Sequence, residues 1–466
     1  MYGAKDLTYR AIEPLKLGYP RLKPTVPDGV YEARKARLTE RLGQEAIDAV
    51  VIYADREHYA NFKYYTGVDP RFEEALLVIH SDGRAFLALG NECYALVDTA
   101  AIRATGVFCQ RFSLPNQPME QFVSMEKVLR DCGIAQGMRV GLIDWKLLRT
   151  PEGDYIRDQS GMPSYIVDEI KRIVGDAARV TNETAMLIGR SGLRLRTEAA
   201  AIAALEFGAA CASQSVMDML ALAKPGISEM EMANAANSFG QQLSIHTYVP
   251  SGENMRRGLI SPTNREIGRG DAFIASLGLE GGLTCRSVLM AEDEGDLAPL
   301  DGRYYMEELV KPYMATVYNW YEMIGLGVRA GDMFDMVEAC LPAKAYGRTL
   351  NPGHMIGYEE GMCSPFFAGS DFVIESGMMF QMDIIPSHPV YPTPNDEDGL
   401  VIADEALRAE LSRDYPEVYA RIMARRAFAE EQIGIRLKPE VLPLSNCFAE
   451  FNPFALRRGM SIAVGK

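Results

Sequence analysis

The sequence is poor in the residues that usually mark metal and redox sites. Its 466 residues include only five histidines, and its eight cysteines are scattered along the chain without a CxxC pair. A zinc ribbon and a disulfide framework both need closely spaced or paired cysteines. We therefore expect neither, and we interpret most of the cysteines as small buried apolar residues.

The chain also lacks a basic patch and a long apolar run. Acidic residues outnumber basic ones by 63 to 48, which gives a formal net charge of −15 and argues against nucleic acid or an anionic membrane as partner. No window approaches the ~20 consecutive apolar residues that span a bilayer, and residues 1–23 show no signal-peptide pattern. We expect a cytoplasmic protein that contacts neither nucleic acid nor membrane.

What is present is typical of a soluble chain of two or three domains. Apolar residues make up 48% of the sequence and charged residues 24%, as in ordinary globular proteins. The proline-containing residues 1–30 are interpreted as an irregular arm. From residue 31 to residue 188, helical patterns alternate with short apolar strands such as 49–53 and 75–80, which predicts an α/β domain with a helix-covered sheet.

The second half has a different pattern. A charged stretch at 188–197 leads into an alanine-rich helix at about 198–223, so we place a domain boundary near residue 189. Ser228 and Glu231 form a predicted capping box at the start of the next helix. We expect an α+β domain over 189–407. The extension at 408–466 contains a charged helix and then prolines and aromatics, which we interpret as elements that wrap a partner subunit.

Three segments of the second half carry residues suited to catalysis. His354 lies between glycines in 351–360, Asp383 ends the turn and strand at 375–383, and Glu397 belongs to the acidic cluster that opens 395–402. A glycine-flanked histidine alone is usually structural, and an acidic cluster before a strand is usually a solvated turn. The order and spacing of the three segments together indicate an active site.

These motifs resemble those of the pita-bread enzymes, the superfamily of creatinase, prolidase, aminopeptidase P and methionine aminopeptidase. The matching segments of the second half are 197–198, 224–229, 251–254, 270–271, 353–357, 377–380 and 397–398. Segments 31–42, 47–51 and 64–67 resemble the creatinase-type N-terminal domain. The resemblance implies a creatinase-type α/β domain, an α+β pita-bread catalytic domain and a homodimer.

The hydrolytic members of this superfamily hold two divalent metals with two aspartates, one histidine and two late acids. Such a set generates a hydroxide near neutral pH and stabilises the tetrahedral intermediate. The resemblance places His354 at the histidine position and Asp383 and Glu397 at the late acids. The first aspartate position holds Ser276.

The second aspartate position is Leu283 or Ser287, depending on the register of the 276–287 hairpin. Neither residue is an acid. The positions of two assisting histidines hold Leu259 and Gly361. We therefore expect no metal and no other cofactor, because the remaining groups are too few for a dimetal site.

Creatinase is the precedent in this superfamily for a site without metals. By that resemblance His354 is the expected acid/base, since an imidazole can take and give a proton at neutral pH. Asp383 and Glu397 would fix its tautomer or bind a cationic part of the substrate. Two carboxylates in one metal-free pocket also raise the pKa of one of them.

The expected substrate-binding residues come from several segments. Arg71 and Glu73 lie in the loop 68–74, where the creatinase-type domain of the family reaches over the partner's active site; solvated loop charges are the alternative. Arg286 could hold a substrate carboxylate bidentately or lie on the surface. Ser276 and Tyr358 are placed beside the substrate.

The sequence thus predicts a metal-independent, creatinase-like enzyme that acts on a small polar substrate. The reaction would be hydrolysis of a C–N bond or a related acid/base cleavage such as a lyase step. Two alternatives stay open. One is an Xaa-Pro metallopeptidase with a degenerate metal site. The other is a catalytically silent dimeric binding protein, in which His354, Asp383 and Glu397 form a residual hydrogen-bonded network.

Overall fold

A computed structural model describes residues 1–150, 153–297 and 304–465. The chain forms two compact units, one of residues 26–195 and one of residues 1–25 together with residues from 196 onward. The β-strands are β1 Leu7–Ala11, β2 Ala49–Ala54, β3 Ala75–His80, β4 Ala85–Leu89, β5 Thr105–Phe108, β6 Val140–Ile143, β7 Val180–Asn182, β8 Leu243–Ile245, β9 Ala272–Leu279, β10 Gly282–Leu289, β11 His354–Met355, β12 Met379–Met382, β13 Asn395–Ile402, β14 Val441–Pro443 and β15 Met460–Val464.

The α-helices follow the same chain order. They are α1 Asp28–Gln44, α2 Ala60–Thr66, α3 Met125–Asp131, α4 Ser164–Val174, α5 Ala185–Ile188, α6 Ala199–Ala221, α7 Glu229–Ala233, α8 Lys311–Met323, α9 Ala330–Cys340, α10 Ala343–Tyr346, α11 Glu405–Asp414 and α12 Pro416–Phe428. Short π-helical turns, Met306–Val310 and Ala429–Ile433, precede α8 and follow α12.

The unit of residues 26–195 is built on a mixed sheet in the order β5-β4-β3-β2-β6-β7. Every residue of β3 is buried, as expected of an apolar run without alternation. The amphipathic helix α4 places Ile166, Ile170 and Ile173 in the core of this unit. The α/β class predicted for this part of the chain is confirmed.

The other unit contains an antiparallel sheet in the order β11-β12-β13-β10-β9-β8, with β14 paired to β13. Helix α6 packs on β9 and β10, and its small residues allow a close approach: a Cβ atom at Gly208 would clash with the carbonyl oxygen of Glu280. By length and composition α6 could cross a membrane, but 89% of its apolar window is buried inside the protein. It is the core helix of an α+β domain, as predicted.

The two chain ends in this unit differ from the sequence-based expectation. Residues 7–11 form β1, which pairs with β15 over its whole length, so the first 25 residues are part of this unit. The tail also packs on its own chain, because β14 extends the sheet and Phe451 and Phe454 are buried. The interpretation of the tail aromatics as surfaces for a partner was therefore wrong. The capping box of Ser228 and Glu231 is present as predicted.

Candidate active site

Strand alternation divides the acidic segment at 395–398 between the two faces of the sheet. Successive side chains of a strand point to opposite faces. Asp396 and Asp398 contact Arg286 on one face, so Asn395 and Glu397 belong to the other. Only one carboxylate of this segment thus reaches the face that we call the site face.

Strand register brings the remaining site residues to Glu397. Cys285 lies directly opposite Glu397 on β10 and directly opposite Ser276 on β9. On the other side of β13, Met382 pairs with Asp398, so Asp383, the next residue after β12, lies beside Glu397. His354 pairs with Gln381 at the edge of the sheet. The predicted catalytic residues His354, Asp383 and Glu397 therefore share one neighbourhood.

A second glutamate, Glu360, completes the cluster. Single ligand atoms of His354, Glu360 and Glu397 all lie within 4.8 Å of one another. The Nε2 atom of His354 is 3.8 Å from Oε1 of Glu360, and these two side chains are 19% and 14% exposed. Glu397 is buried at 4% exposure. The cluster is therefore a buried group of acids that solvent reaches through the side of His354 and Glu360.

Burial makes these carboxylates weak acids. It raises the pKa of Glu360 to about 8, with the charge of Asp383 as the next contribution. Burial also raises the pKa of Asp383 against the opposing effect of His354, and it raises that of Glu397 with help from Asp383 and Glu360. The sequence predicts one carboxyl group with a raised pKa, and in the structure the pKa values of Glu360, Asp383 and Glu397 are all raised. At neutral pH the site can therefore hold protons that it can donate.

The tautomer of His354 follows from its second nitrogen. Nδ1 lies 3.3 Å from the carbonyl oxygen of its neighbour Met355, an acceptor, so a hydrogen bond there requires the proton on Nδ1. A neutral ring then presents the Nε2 lone pair to Glu360. This arrangement suits a base next to a protonated carboxyl group.

Arg286 occupies the opposite face and does not face a substrate. Its guanidinium, 2% exposed, contacts Asp396 Oδ1 and Asp398 Oδ2, each at 2.8 Å. The same group donates hydrogen bonds to the carbonyl oxygens of Cys285 and Glu397 at 2.9 and 3.2 Å. The expectation that Arg286 anchors the substrate is therefore wrong, because strand alternation turns it away from the site and its donors are occupied.

The hairpin of β9 and β10 also differs from the expectation. Neither Leu283 nor Ser287 lies opposite Ser276; that place belongs to Cys285, a buried thiol whose pKa is raised by burial and by Glu397. The hydroxyl of Ser276 donates a hydrogen bond to the carbonyl oxygen of Tyr248 at 2.7 Å and is fully buried. Ser276 therefore fixes the neighbouring loop, and its substrate contact stays a prediction.

The other predicted binding residues belong to different parts of the chain. Tyr358 is buried at 7% exposure between His354 and Glu360 along the chain. Arg71 and Glu73 belong to the unit of residues 26–195. There Arg71 lies over the ring of Tyr59 and donates to the carbonyl oxygen of Arg56, while Glu73 accepts the backbone N–H groups of Glu92 and Cys93. Their substrate-binding role stays a prediction.

The sequence analysis did not predict a role for two residues of the unit that contains the cluster. Glu360 belongs to the segment that contains His354, and its adjacent Glu359 and Glu360 were the available signal. The other is His246, whose Nε2 lies 2.6 Å from the carbonyl oxygen of Leu259, the residue at an assisting-histidine position. Leu259 itself is 54% exposed. Both depend on loop paths that a linear pattern does not give.

The residues present do not fit the pair of metals that the resemblance implies. The first hairpin position holds Ser276, which is bound to backbone, the second holds Leu283 or Ser287, and the residue opposite Ser276 is the thiol Cys285. None of these supplies the carboxylate that bridges hard cations. Within the described ranges, the group that could hold a single ion is His354, Glu360 and Glu397. No reaction step through a dinuclear centre can therefore be derived for this chain.

Comparisons with known proteins agree with this architecture. Residues 204–410 match the model of metallopeptidase family M24. The chain is similar in structure to prolidase from Pyrococcus horikoshii OT3 (TM-score 0.62, 16% identity, 80% of this chain and 95% of that one). It is also similar to dipeptidase PepE from Mycobacterium ulcerans (0.59, 18%, 81% and 94%).

A third similar structure is the His243Ala variant of Escherichia coli aminopeptidase P (TM-score 0.55, 16% identity, 86% of this chain and 99% of that one). No curated protein sequence matches the chain. At these identities the structural similarities establish the fold, and the family match covers the region of the site. The chain therefore has the fold of these prolidase, dipeptidase and aminopeptidase P structures, and its residues 204–410 match metallopeptidase family M24.

Proposed function

We propose that the protein is a hydrolase that cleaves a C–N bond of a small polar substrate by acid/base chemistry at the cluster of His354, Glu360, Asp383 and Glu397. One observation carries the proposal. The polar atoms of His354, Glu360 and Glu397 converge within 4.8 Å, while the β9–β10 hairpin holds Ser276 at the expected first aspartate position and Cys285 directly opposite it. The family match supports hydrolysis as the reaction class.

His354 and Glu360 form the proton-transfer pair of this proposal. With its proton on Nδ1 toward Met355, His354 presents Nε2 as a base that can accept a proton from an attacking water. Glu360 retains a proton at neutral pH and can donate it to the leaving nitrogen, because burial raises its pKa to about 8. Asp383 stabilises the imidazolium that forms, since the charge of His354 opposes the rise in the pKa of Asp383.

A second candidate is a peptidase for Xaa-Pro substrates that uses one divalent ion. It is favoured by the similarity to a prolidase and a dipeptidase. Within the described residues, His354, Glu360 and Glu397 would hold the ion. When bound, it would polarise the substrate carbonyl and lower the pKa of a bound water. A lyase step and a silent binding protein remain outcomes of the experiment below.

The experiment measures hydrolysis of C–N substrates by chelator-treated protein, with metal content determined on the same sample. The panel holds guanidino acids, N-methyl amino acids and prolyl dipeptides. We expect turnover at about one metal ion per ten chains or fewer, and a fall of about 10²-fold or more in kcat for His354→Ala. The control is His388→Ala, whose ring stacks on Tyr391 in the same unit.

The result separates the candidates. Turnover of prolyl dipeptides that disappears with the chelator and returns with Mn²⁺ would establish the peptidase and contradict the metal-free mechanism. An unchanged kcat in His354→Ala would contradict the assignment of the base. The homodimer and the cytoplasmic location stay proposals drawn from the sequence; light scattering of the purified protein and fractionation of cells test them.

A further inference from the structure

The loop after β8 places a tyrosine ring on the site face of the sheet. The buried ring of Tyr248 packs against Leu283 and Cys285 of β10. Cys285 lies directly opposite Glu397 in the pair of β10 and β13, and residues directly opposite each other share one face of a sheet. Tyr248 therefore borders the acids of the site from the side of β10.

Two residues of the β9–β10 hairpin hold Tyr248 in place. Its backbone N–H donates to Oγ of Ser276 at 3.3 Å, and that hydroxyl donates to the carbonyl oxygen of Tyr248 at 2.7 Å. The phenol hydroxyl of Tyr248 is hydrogen-bonded to the thiol of Cys285, and the charges of Glu397 and Glu360 act on it. The hydroxyl is thus fixed beside the carboxyl groups of the site.

Other polar side chains on the site face of β9, β10, β12 and β13 already donate a hydrogen to a group of the protein. They are Ser276, Ser287, Gln381 and Asn395. Among the described side chains of these strands that leaves the thiol of Cys285, against which the hydroxyl of Tyr248 lies. Sulfur is a weak hydrogen-bond acceptor. The hydroxyl of Tyr248 can therefore turn from Cys285 to a stronger acceptor in the site.

Hydrolysis at this site requires a donor for the oxygen that becomes negatively charged. When water attacks a carbonyl carbon, the electron pair of the C=O bond moves to its oxygen, and hydrogen bonds to that oxygen lower the barrier. Arg286 cannot supply them, because its guanidinium binds carboxylates and backbone carbonyls behind the sheet. Burial raises the pKa of Tyr248 well above its ordinary value, so its hydroxyl keeps the proton that such a bond needs.

We propose that Tyr248 is a further catalytic residue, whose hydroxyl donates a hydrogen bond to the oxygen of a scissile amide or urea group. The inference rests on the proposed function, because it adds a residue to that reaction. It also narrows the substrate class. An amide or a urea presents a carbonyl oxygen to the hydroxyl, whereas a guanidino group presents N–H groups in the same place.

The reaction balances with the groups present. The oxygen of a water forms a bond to the carbonyl carbon and gives one proton to Nε2 of His354, while the carbonyl oxygen takes the electron pair and the hydrogen bond of Tyr248. The electron pair then returns, the C–N bond breaks, and the proton of Glu360 goes to the leaving nitrogen. Proton transfer from His354 to Glu360, 3.8 Å away, restores the starting state. Tyr248 stabilises the charged intermediate more than the substrate, so it acts on kcat more than on KM.

The kinetic test replaces Tyr248 by phenylalanine. Tyr248→Phe keeps the ring in its apolar contacts and keeps both backbone hydrogen bonds to Ser276. We expect kcat for an amide of the panel to fall about 10²-fold or more, with KM and the melting temperature little changed. The matched control is Tyr305→Phe, which removes the hydroxyl of a buried tyrosine of the same unit and should keep the parent kcat.

A binding measurement gives a result even without turnover. The full chain is labelled with carbon-13 at Cζ of tyrosine, and the resonance of Tyr248 is identified by its loss in Tyr248→Phe. The probe is glycylproline, which contains a peptide carbonyl, and the control ligand is proline, which lacks it. We expect glycylproline to shift the Tyr248 resonance and proline to leave it in place, while the Tyr305 resonance responds to neither.

The outcomes separate this inference from the proposed function. An unchanged kcat in Tyr248→Phe would overturn the inference, as would equal losses in Tyr248→Phe and Tyr305→Phe or a Tyr248 resonance that glycylproline leaves in place. If that resonance shifts but no compound of the panel is hydrolysed, the carbonyl-binding role of Tyr248 stands and the hydrolase assignment falls. If guanidino acids alone are hydrolysed, the hydrolase stands and the role of Tyr248 falls.

Discussion

The two faces of the sheet that contains β10 and β13 carry similar numbers of acids, but only one face pairs its acids with an arginine. On one face Asp396 and Asp398 contact Arg286, an arginine that is buried from solvent. On the other face Glu397 joins Glu360 and Asp383 around a single histidine. Adjacent residues of one strand thus divide between a neutralised and an unneutralised environment.

The difference separates acids that are paired with a buried cation from acids that are not. Buried carboxylates persist when they are paired, metal-bound or protonated. The Arg286 face uses pairing and holds β10 and β13 together through the carbonyl oxygens of Cys285 and Glu397. On the site face no basic side chain of the described residues pairs with the acids in this way, and burial raises the pKa values of Glu360 and Asp383, which favours their protonated forms. Burial raises the pKa of Asp396 as well, against the opposing effect of Arg286. Several buried acids with raised pKa values around one histidine are the property that points to function.

The largest expected effect on stability comes from removing the guanidinium of Arg286. Arg286→Met leaves Asp396 and Asp398 buried without their cation, and we expect a loss of about 3–5 kcal/mol in the free energy of unfolding. Urea denaturation measures it. The triple variant Arg286→Met, Asp396→Asn, Asp398→Asn should recover much of the loss, because it removes the stranded charges. A triple variant no more stable than the single one would contradict the pairing argument.

An effect of opposite sign is expected on the site face. Burial raises the pKa of Glu360 in the folded protein to about 8, whereas the ordinary value of the carboxyl group is about 4.5. Between these two values the folded state binds more protons than the unfolded chain, so Glu360 lowers stability as pH rises. Glu360→Gln should therefore raise the free energy of unfolding by about 1–3 kcal/mol at pH 8.

The same variant should have little effect at pH 4.5, where the carboxyl group is protonated in the folded protein. Between pH 4.5 and pH 8 the free energy of unfolding should vary less with pH in Glu360→Gln than in the parent protein. Glu405→Gln is the matched control, since an exposed carboxylate leaves the profile unchanged. A variant that is less stable than the parent at pH 8 would show that Glu360 is neutralised by a partner.

Much of the fold and part of the site could be predicted from the sequence. The apolar periodicity of residues 31–188 predicted the α/β unit, and the order of the motifs predicted the pita-bread domain. His354, Asp383 and Glu397 were identified as a group because each belongs to a motif with a fixed place in that order. The capping box at Ser228 follows from local spacing alone.

What could not be predicted depends on strand register and loop path. Arg286 was assigned to the substrate because a sequence does not show which face an arginine occupies until the pairing of β10 with β13 is known. The tight turn between β9 and β10 places Cys285 opposite Ser276, a pairing that needs the hairpin geometry. Glu360 enters the site by the return of the loop after His354, which no periodic pattern encodes.

The most direct test of the contrast between the two faces is the unfolding free energy of two neighbouring variants of β13, measured by urea denaturation at pH 7.5. Asp398→Asn removes an acceptor of Arg286 and of the backbone N–H of Ala449, and we expect a loss of about 1.5–3 kcal/mol. Glu397→Gln should be neutral or stabilising, because its carboxyl group has no comparable cation. Equal losses in both variants would contradict the account, since they would show Glu397 to be as fully neutralised as its neighbour.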